Sequence, residues 1–171
     1  MTKISGLSLV AAFADTQEFG VNDSGTSKKV TGAQLRAAVA QGTLAGGYAQ
    51  VTANQGGITA ITDLTSLTVT FTVVAGRRIR ISAWVGLQSN TAADEGFVAI
   101  TDPSNVIQAY AQVAFPSINN AHICAPVIVM TPAAGTYTYK LRAQRNSGSG
   151  TITMVADSQR PAFILAEDIG V

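Results

Sequence analysis

Two residues of this sequence, His122 and Cys124, come closest to a catalytic pair. They lie two positions apart in an apolar run that is predicted to be a β-strand, and residues two apart share one face of a strand. An imidazole beside a thiol is the arrangement that activates a nucleophilic cysteine. The pair would also need a group that orients the base and a site for the oxyanion, and no nearby residue supplies either. We therefore expect a packed thiol and a histidine at the surface or an interface, with no catalytic residues and no enzymatic activity.

Carboxylates and glycines are the other residues that could form a functional site, and their spacing matches no known motif. Asp94-Glu95 and Glu167-Asp168 are adjacent pairs outside any EF-hand loop, and they are interpreted as solvated loop charge. Gly46-Gly47 and Gly56-Gly57 lack the lysine and the following helix of a phosphate-binding loop, so they are interpreted as hinges. We expect no cofactor and no metal site within the chain, and we leave open a calcium or magnesium ion on an axis between subunits.

Aromatic residues offer a different kind of site, because an exposed ring on a β face can stack on a sugar or anchor a protein interface. Tyr137 and Tyr139 share one strand face that continues into apolar residues, which predicts that they belong to the core. In a strand, Trp84 would lie on the same face as Arg78 and Arg80, and not on the face of Ile79 and Ile81. We therefore select Trp84, Arg78 and Arg80 as candidate subunit-interface residues.

The composition predicts a chain that packs against other subunits. Charged residues make up 12% of the 171 residues, about half of the usual ~25%, while 47% are hydrophobic. Obligate interfaces are depleted in charge, so burial against neighbouring subunits would account for both values. The net charge of +1 and the absence of long basic runs exclude a typical nucleic-acid binder. No stretch approaches the ~20 apolar residues of a membrane-spanning helix, so we expect no membrane partner.

The first 42 residues are predicted to form a small docking segment. Residues 18–22 and 27–30 are expected to be the strands of a hairpin around the turn at 23–26, where Asn, Asp and Gly favour tight turns. A helix should follow from Thr31, because Thr31 and Gln34 make a capping box and Gly42 is a stop signal. Leu35 and Val39 form its apolar stripe, and a helix this short needs a partner.

The rest of the chain is predicted to be a linker at 43–57 and a β domain at 58–171. The linker is inferred from its Gly, Ala, Gln, Thr and Asn content. In the domain, apolar and polar residues alternate with period two through at least eight short segments with turns between them. The fold class is therefore mainly β: an antiparallel sandwich or jelly roll. Its outward positions are rich in Thr, Ser, Ala and Gln, which suits an interface better than a solvated face.

Two stretches resemble the virion proteins of tailed bacteriophages. Ile4-Ser5-Gly6-Leu7 followed by DTQEFGVNDSGTSKKVTGAQL at 15–35 is similar to a segment near the start of tail-fibre and head-decoration subunits. PAFILAEDIG at 161–170 looks like the closing strand of phage minor structural proteins. The resemblance implies a virion localisation, a homotrimeric β domain and a docking segment that binds the virion, with these candidate docking residues: Phe19, Val21, Lys28, Lys29, Leu35 and Val39.

Two functions agree with this resemblance. The first is a trimeric capsid decoration, or minor capsid, protein that binds the major capsid protein and stabilises the shell. The alternative is a tail-associated fibre or baseplate subunit that binds a host-surface receptor. Heptads and internal repeats, which are typical of fibre shafts, are missing from the sequence, and this favours the first function.

Overall fold

The computed structural model describes residues 18–23, 26–31 and 42–170. All regular secondary structure within these ranges is β, and none of these residues is helical. The chain divides into two units, Met1–Ala40 and Gln41–Val171. The predicted helix, with Leu35 and Val39, falls on residues 32–41 and so lies outside the described part of the chain.

The predicted hairpin is present in the first unit. Strands β1 (Glu18–Asp23) and β2 (Thr26–Thr31) pair antiparallel, with Phe19 opposite Val30 and Val21 opposite Lys28. The ammonium of Lys29 lies 2.7 Å from a carboxylate oxygen of Glu18 across the two strands, and both side chains are exposed. An exposed pair of this kind contributes less than ~1 kcal/mol, so the pair supports the register without fixing it.

The second unit contains eleven strands, which are short except for three of eleven residues or more: β3 (Gly42–Val51), β4 (Gln55–Ile58), β5 (Thr62–Val73), β6 (Ile79–Ser89), β7 (Asp94–Thr101), β8 (Ile107–Phe115), β9 (His122–Cys124), β10 (Val127–Met130), β11 (Gly135–Ser147), β12 (Ile152–Val155) and β13 (Ala162–Asp168).

These strands form two antiparallel sheets. The first runs β3-β13-β6-β12-β4, with β9 and β10 also on β6, and the second runs β5-β11-β7-β8. β13 and β10 pair with the same residues in the first half of β6, so they lie along its opposite edges. Apart from the short β4 and β12, the strands pass between the two sheets in the order of a jelly roll. The predicted fold class is confirmed.

The core lies between the sheets, on the faces that the period-two alternation predicted. Leu67, Val69, Phe71 and Val73 from β5 are almost fully buried, and so are the odd-numbered residues 79–87 of β6. Tyr139 is 7% exposed and its ring stacks on Phe71 at a centroid distance of 6.1 Å, so its predicted place in the core is confirmed.

The segment 43–57 is not the linker that its composition suggested, because it contains most of β3 and most of β4. The prediction that Gly46 and Gly47 form a hinge is also wrong. Gly46 has φ +74°, and a Cβ at this position would overlap the carbonyl of Thr70 in β5. A Cβ on Gly47 would lie 2.7 Å from the carbonyl of Ala166 in β13. The two glycines therefore allow β3 to pass close to two other backbones.

Two of the acidic residues that were interpreted as solvated loop charge are instead buried and bound. Asp94, at the start of β7, is 1% exposed, and its carboxylate accepts hydrogen bonds from the Ser89 hydroxyl (2.6 Å), the Ser149 N–H (3.0 Å) and the Gly150 N–H (3.0 Å). Asp168, at the end of β13, accepts a 2.8 Å hydrogen bond from Arg77, just before β6, and both side chains are largely buried. Each carboxylate joins two segments that are far apart in the sequence.

Candidate functional site

His122 and Cys124 lie on the same face of β9, as their spacing predicted, where Cys124 is packed in the core and His122 is half-buried. Cys124 is 1% exposed, opposite Val85, and burial raises the pKa of its thiol to about 11. The ring of His122 meets Phe115 edge-on at 5.8 Å, and its Nε2 has no hydrogen-bond partner within the described residues. A thiol with this pKa stays protonated near neutral pH and is a poor nucleophile.

Neither a metal site nor a membrane-spanning helix is found within the same ranges. No three His, Cys, Asp or Glu side chains of residues 18–23, 26–31 and 42–170 are grouped closely enough to hold a metal ion. In the same part of the chain, no helix is long and apolar enough to cross a bilayer.

The outer face of the first sheet has an unusual surface, because large apolar side chains cross it from strand to strand. Trp84, at its centre, is 46% exposed although it lies in the middle of β6. Alternation along each strand and the pairing between strands bring the other members of this surface beside Trp84. We call this surface the Trp84 face and define it by six residues: Tyr48, Trp84, Ile123, Val127, Phe163 and Leu165.

Cross-strand pairing fixes the arrangement of this face. Phe163 lies directly opposite Trp84, and its ring packs on Tyr48 at a centroid distance of 6.1 Å. Val127, on the other side of β6, is 52% exposed and lies opposite Ser82. Next to Trp84 is a hollow of about 310 Å³, lined by Trp84, Gly86, Ala121, Ile123, Val155 and Arg160. A large apolar side chain from another molecule would fit this hollow.

The charged groups around the face are paired with each other. At one end Arg80 is 2.7 Å from Glu167, and at the other Arg160 is 2.9 Å from Asp157. A second molecule that covers the face would therefore meet few unpaired charges.

The three predicted interface residues do not lie together: two are on β6 and one precedes it. Trp84 and Arg80 lie on the same side of β6, about 13 Å apart from their spacing along the strand. Arg78 is exposed but precedes β6, and its backbone binds Ile169 and Gly170 near the end of β13. Their role at an interface stays a prediction.

One edge of the first sheet lacks the usual protection against association. Residues 122–131 contain no Lys, Arg, Asp or Glu, and among the described strands β9 and β10 pair only with β6. Exposed edges commonly carry lysine or other charges that block the addition of another strand. Here Pro126 interrupts the edge between β9 and β10, and Ile123, Val127 and Val129 remain exposed beside it.

The candidate docking residues belong to the first unit. Phe19, Val21, Lys28 and Lys29 lie on the hairpin, and Leu35 and Val39 lie outside the described residues. Docking through these six residues stays a prediction.

No family model and no curated protein matches this chain. Among solved structures it is similar to Eiger TNF from S. frugiperda, at 8% identity over 77% of this chain and 94% of that one, with a TM-score of 0.47. It is also similar to a carbohydrate-binding module, CBM6cm-2 from Cellvibrio mixtus lichenase 5A, at 12% identity over 92% and 90% of the two chains, with a TM-score of 0.37.

A third similar structure is the VP2 subviral particle of infectious bursal disease virus, at 9% identity over 72% of this chain and 37% of that one, with a TM-score of 0.32. These TM-scores are too low to identify a family. The jelly roll is therefore established by the strand order of this chain.

The sequence identified Trp84 but missed the other members of its face. Tyr48 lies in a segment interpreted as a linker, and Phe163 and Leu165 come from a strand nearly eighty residues after Trp84. Alternation within 122–131 places Ile123, Val127 and Val129 on one side of the sheet, but it does not show which residues of other strands lie beside them. The pairing between strands is what a single sequence does not contain.

Proposed function

We propose that this chain is a non-enzymatic structural subunit that packs against copies of itself through the Trp84 face. The observation that carries the proposal is the cluster of six large apolar residues on one sheet face, of which four are exposed and two are half-buried. A solvated sheet normally has polar residues at such positions. Contiguous apolar surface of this kind marks interaction sites in soluble proteins.

A second copy of the chain suits this face better than a charged partner. The rim charges are neutralised within each molecule, so two copies bring no like charges together. The uncharged edge at β9 and β10 continues the same surface. The low charge content of the whole chain, 12%, points in the same direction.

The resemblance to tailed-bacteriophage proteins supports a more specific proposal, a trimeric capsid decoration protein of the virion. The hairpin and the residues after it would dock on the major capsid protein or another virion subunit. The stabilisation would follow from mass action: a protein that binds the closed shell but not free subunits shifts the equilibrium toward the shell. The alternative stays a tail-associated subunit that binds a host-surface receptor.

The proposal includes no catalytic step. Cys124 is the strongest nucleophile that the sequence offers, and its buried thiol has a raised pKa of about 11. Its neighbour His122 contacts an aromatic ring, and no described group hydrogen-bonds to its buried nitrogen. We accordingly expect no cofactor, and as partners we expect protein subunits without nucleic acid or a membrane.

The first experiment measures the mass of the full chain by light scattering. We expect a value near three times the 17.6 kDa of one chain. Val127→Glu places a charge on the Trp84 face and should reduce the mass to that of one chain, because burying an unpaired charge costs several kcal/mol. Val74→Glu is the matched control: Val74 is 62% exposed, in the turn after β5, and this substitution should leave the mass unchanged.

Two results would overturn the proposal. One is a wild-type chain that is a well-behaved monomer at micromolar concentration, and the other is an assembly that Val127→Glu and Val74→Glu affect equally.

The virion assignment has a separate test, which is mass spectrometry of phage particles purified from the host that carries the gene. The chain should be present in fixed proportion to the major capsid protein, and its absence would contradict this assignment alone.

A further inference from the structure

A second surface site lies on the outer face of the other sheet, away from the Trp84 face. Here β7, β8 and the end of β11 enclose a hollow of about 210 Å³, lined by Phe97, Ile107, Tyr110, Gln112 and Asn146. Tyr110 is 62% exposed, whereas Phe97 is 9% exposed. Their ring centroids are 5.7 Å apart at an interplanar angle of 60°. The buried phenyl ring thus supports one side of the tyrosine and leaves much of it accessible.

The polar side of the hollow is organised by Glu95. The amide nitrogens of Gln112 and Asn146 both donate to the same carboxylate oxygen of Glu95, at 3.0 Å and 3.3 Å. An ionised carboxylate only accepts hydrogen bonds, so both side-chain amides must turn their NH₂ groups toward it. The orientation of their carbonyl oxygens is therefore fixed as well.

These two carbonyl oxygens accept no hydrogen bond from any described residue. A matching ligand would supply hydrogen-bond donors to them and an apolar surface to Tyr110 and Ile107. The side chains that line the hollow carry no charge, which favours a neutral ligand. The volume is below the ~300–1,000 Å³ of sites for drug-sized ligands, so the hollow suits one ring.

We propose that this hollow binds a neutral pyranose sugar. The C–H face of the ring would lie against Tyr110, and its hydroxyl groups would donate to the carbonyl oxygens of Gln112 and Asn146. Glu95 is a positioning residue that holds the two amides. This binding function goes beyond the structural role proposed above and lies on the opposite sheet, so either can fail without the other.

Saturation-transfer NMR on the full chain tests the proposal, with D-glucose, D-galactose, N-acetyl-D-glucosamine and L-rhamnose as probes. We expect saturation of ring C–H protons in at least one of these sugars. Tyr110→Ala should weaken that binding by about tenfold or more, a change that corresponds to ~1.4 kcal/mol, while Tyr110→Phe should keep it within about threefold. Circular dichroism checks that each variant is folded.

A second pair of variants separates the polar contacts from general effects on β8. Gln112→Leu removes one acceptor and should weaken sugar binding by about fivefold or more, which is ~1 kcal/mol. Gln108→Leu is the same substitution on the same strand outside the hollow, and it should have no effect.

The proposal is overturned if none of the four sugars shows saturation transfer, or if binding survives Tyr110→Ala. It is also overturned if Tyr110→Ala lowers the mass of the assembly, because a second copy would then cover the hollow.

Discussion

Asp94 provides the sharpest test of how the sandwich is held together, because it joins the β6–β7 turn to the β11–β12 turn. Asp94→Asn keeps the shape of the side chain but replaces one acceptor oxygen by a donor. The remaining oxygen can still accept from the N–H groups of Ser149 and Gly150, and the new NH₂ can donate to the Ser89 hydroxyl. The substitution therefore exchanges charge-assisted hydrogen bonds for neutral ones, and the Gly150 N–H keeps its 3.3 Å bond to the remaining oxygen but loses its 3.0 Å bond to the replaced one.

The magnitude follows from these bonds. Hydrogen bonds to a charged group contribute ~1.5–3 kcal/mol each, and neutral ones ~1 kcal/mol. We expect Asp94→Asn to lower the free energy of unfolding by ~2 kcal/mol. Asp94→Ala leaves all three donors unpaired and should cost ~5 kcal/mol. The structure also predicts that Gly148→Ala is harmful, because Gly148 has φ +93° and its added Cβ would overlap the carboxylate of Asp94.

The pH dependence of the stability shows whether the charge of Asp94 causes the difference between wild type and Asp94→Asn. The hydroxyl of Ser89, together with the N–H groups of Gly150 and Ser149, lowers the pKa of Asp94 in spite of its burial. A lowered pKa means that the stabilisation is fully present above the ordinary carboxyl pKa of ~4 and is lost as the pH falls through the folded value. The difference between wild type and Asp94→Asn should therefore shrink in acid.

Urea unfolding followed by circular dichroism, repeated over a pH series, measures both effects. Asp102→Asn is the matched control: Asp102 accepts a 2.9 Å bond from the Val106 N–H in a partly exposed turn, and an asparagine oxygen can keep that bond. The control should change stability by less than ~0.5 kcal/mol. The reasoning is refuted if Asp94→Asn is as stable as wild type at neutral pH, or if their difference stays constant in acid.

Three further variants or treatments test other parts of the sandwich. Arg77→Met leaves the largely buried carboxylate of Asp168 without its cation and should cost ~3 kcal/mol in urea unfolding, whereas Arg80→Met breaks a more exposed pair and should cost less than ~1 kcal/mol; equal losses would contradict the assigned burial. Cys124 should not react with a thiol reagent at mildly alkaline pH in the folded protein and should react fully in denaturant, and rapid labelling without denaturant would disprove its burial. Gly46→Ala should lower the thermal midpoint by several degrees, since its Cβ has no space against β5, and an unchanged midpoint would show that β3 can shift.

Local alternation made most of the fold predictable from the sequence. Strands such as β5 and β6 bury every second residue, so their period of two reveals both the strand and its inner face. Strand β3 was missed because Gly46-Gly47 has the composition of a hinge, and the real reason for these glycines is the approach of backbones more than twenty residues away.

The sites were less predictable than the fold because their parts are distant in sequence. The partners of Asp94 at Ser149 and Gly150 follow it by more than fifty residues, and no local pattern announces them. Trp84 could be selected by its phase alone, whereas Tyr110 could not, because its small alanine neighbours give no strong alternation. Its hollow depends on Asn146, from a different strand.

The position of β13 has a consequence for how the protein is made. This strand lies inside the first sheet, between β3 and β6, and Ala162 pairs with Val51 more than a hundred residues earlier. During synthesis, β3 and β6 therefore leave the ribosome with unpaired edges and wait until residues 162–168 have followed. Unpaired strand edges in nascent chains favour association with other chains. A chain made on polysomes thus has neighbouring copies within reach at the stage when its own sheet is still incomplete.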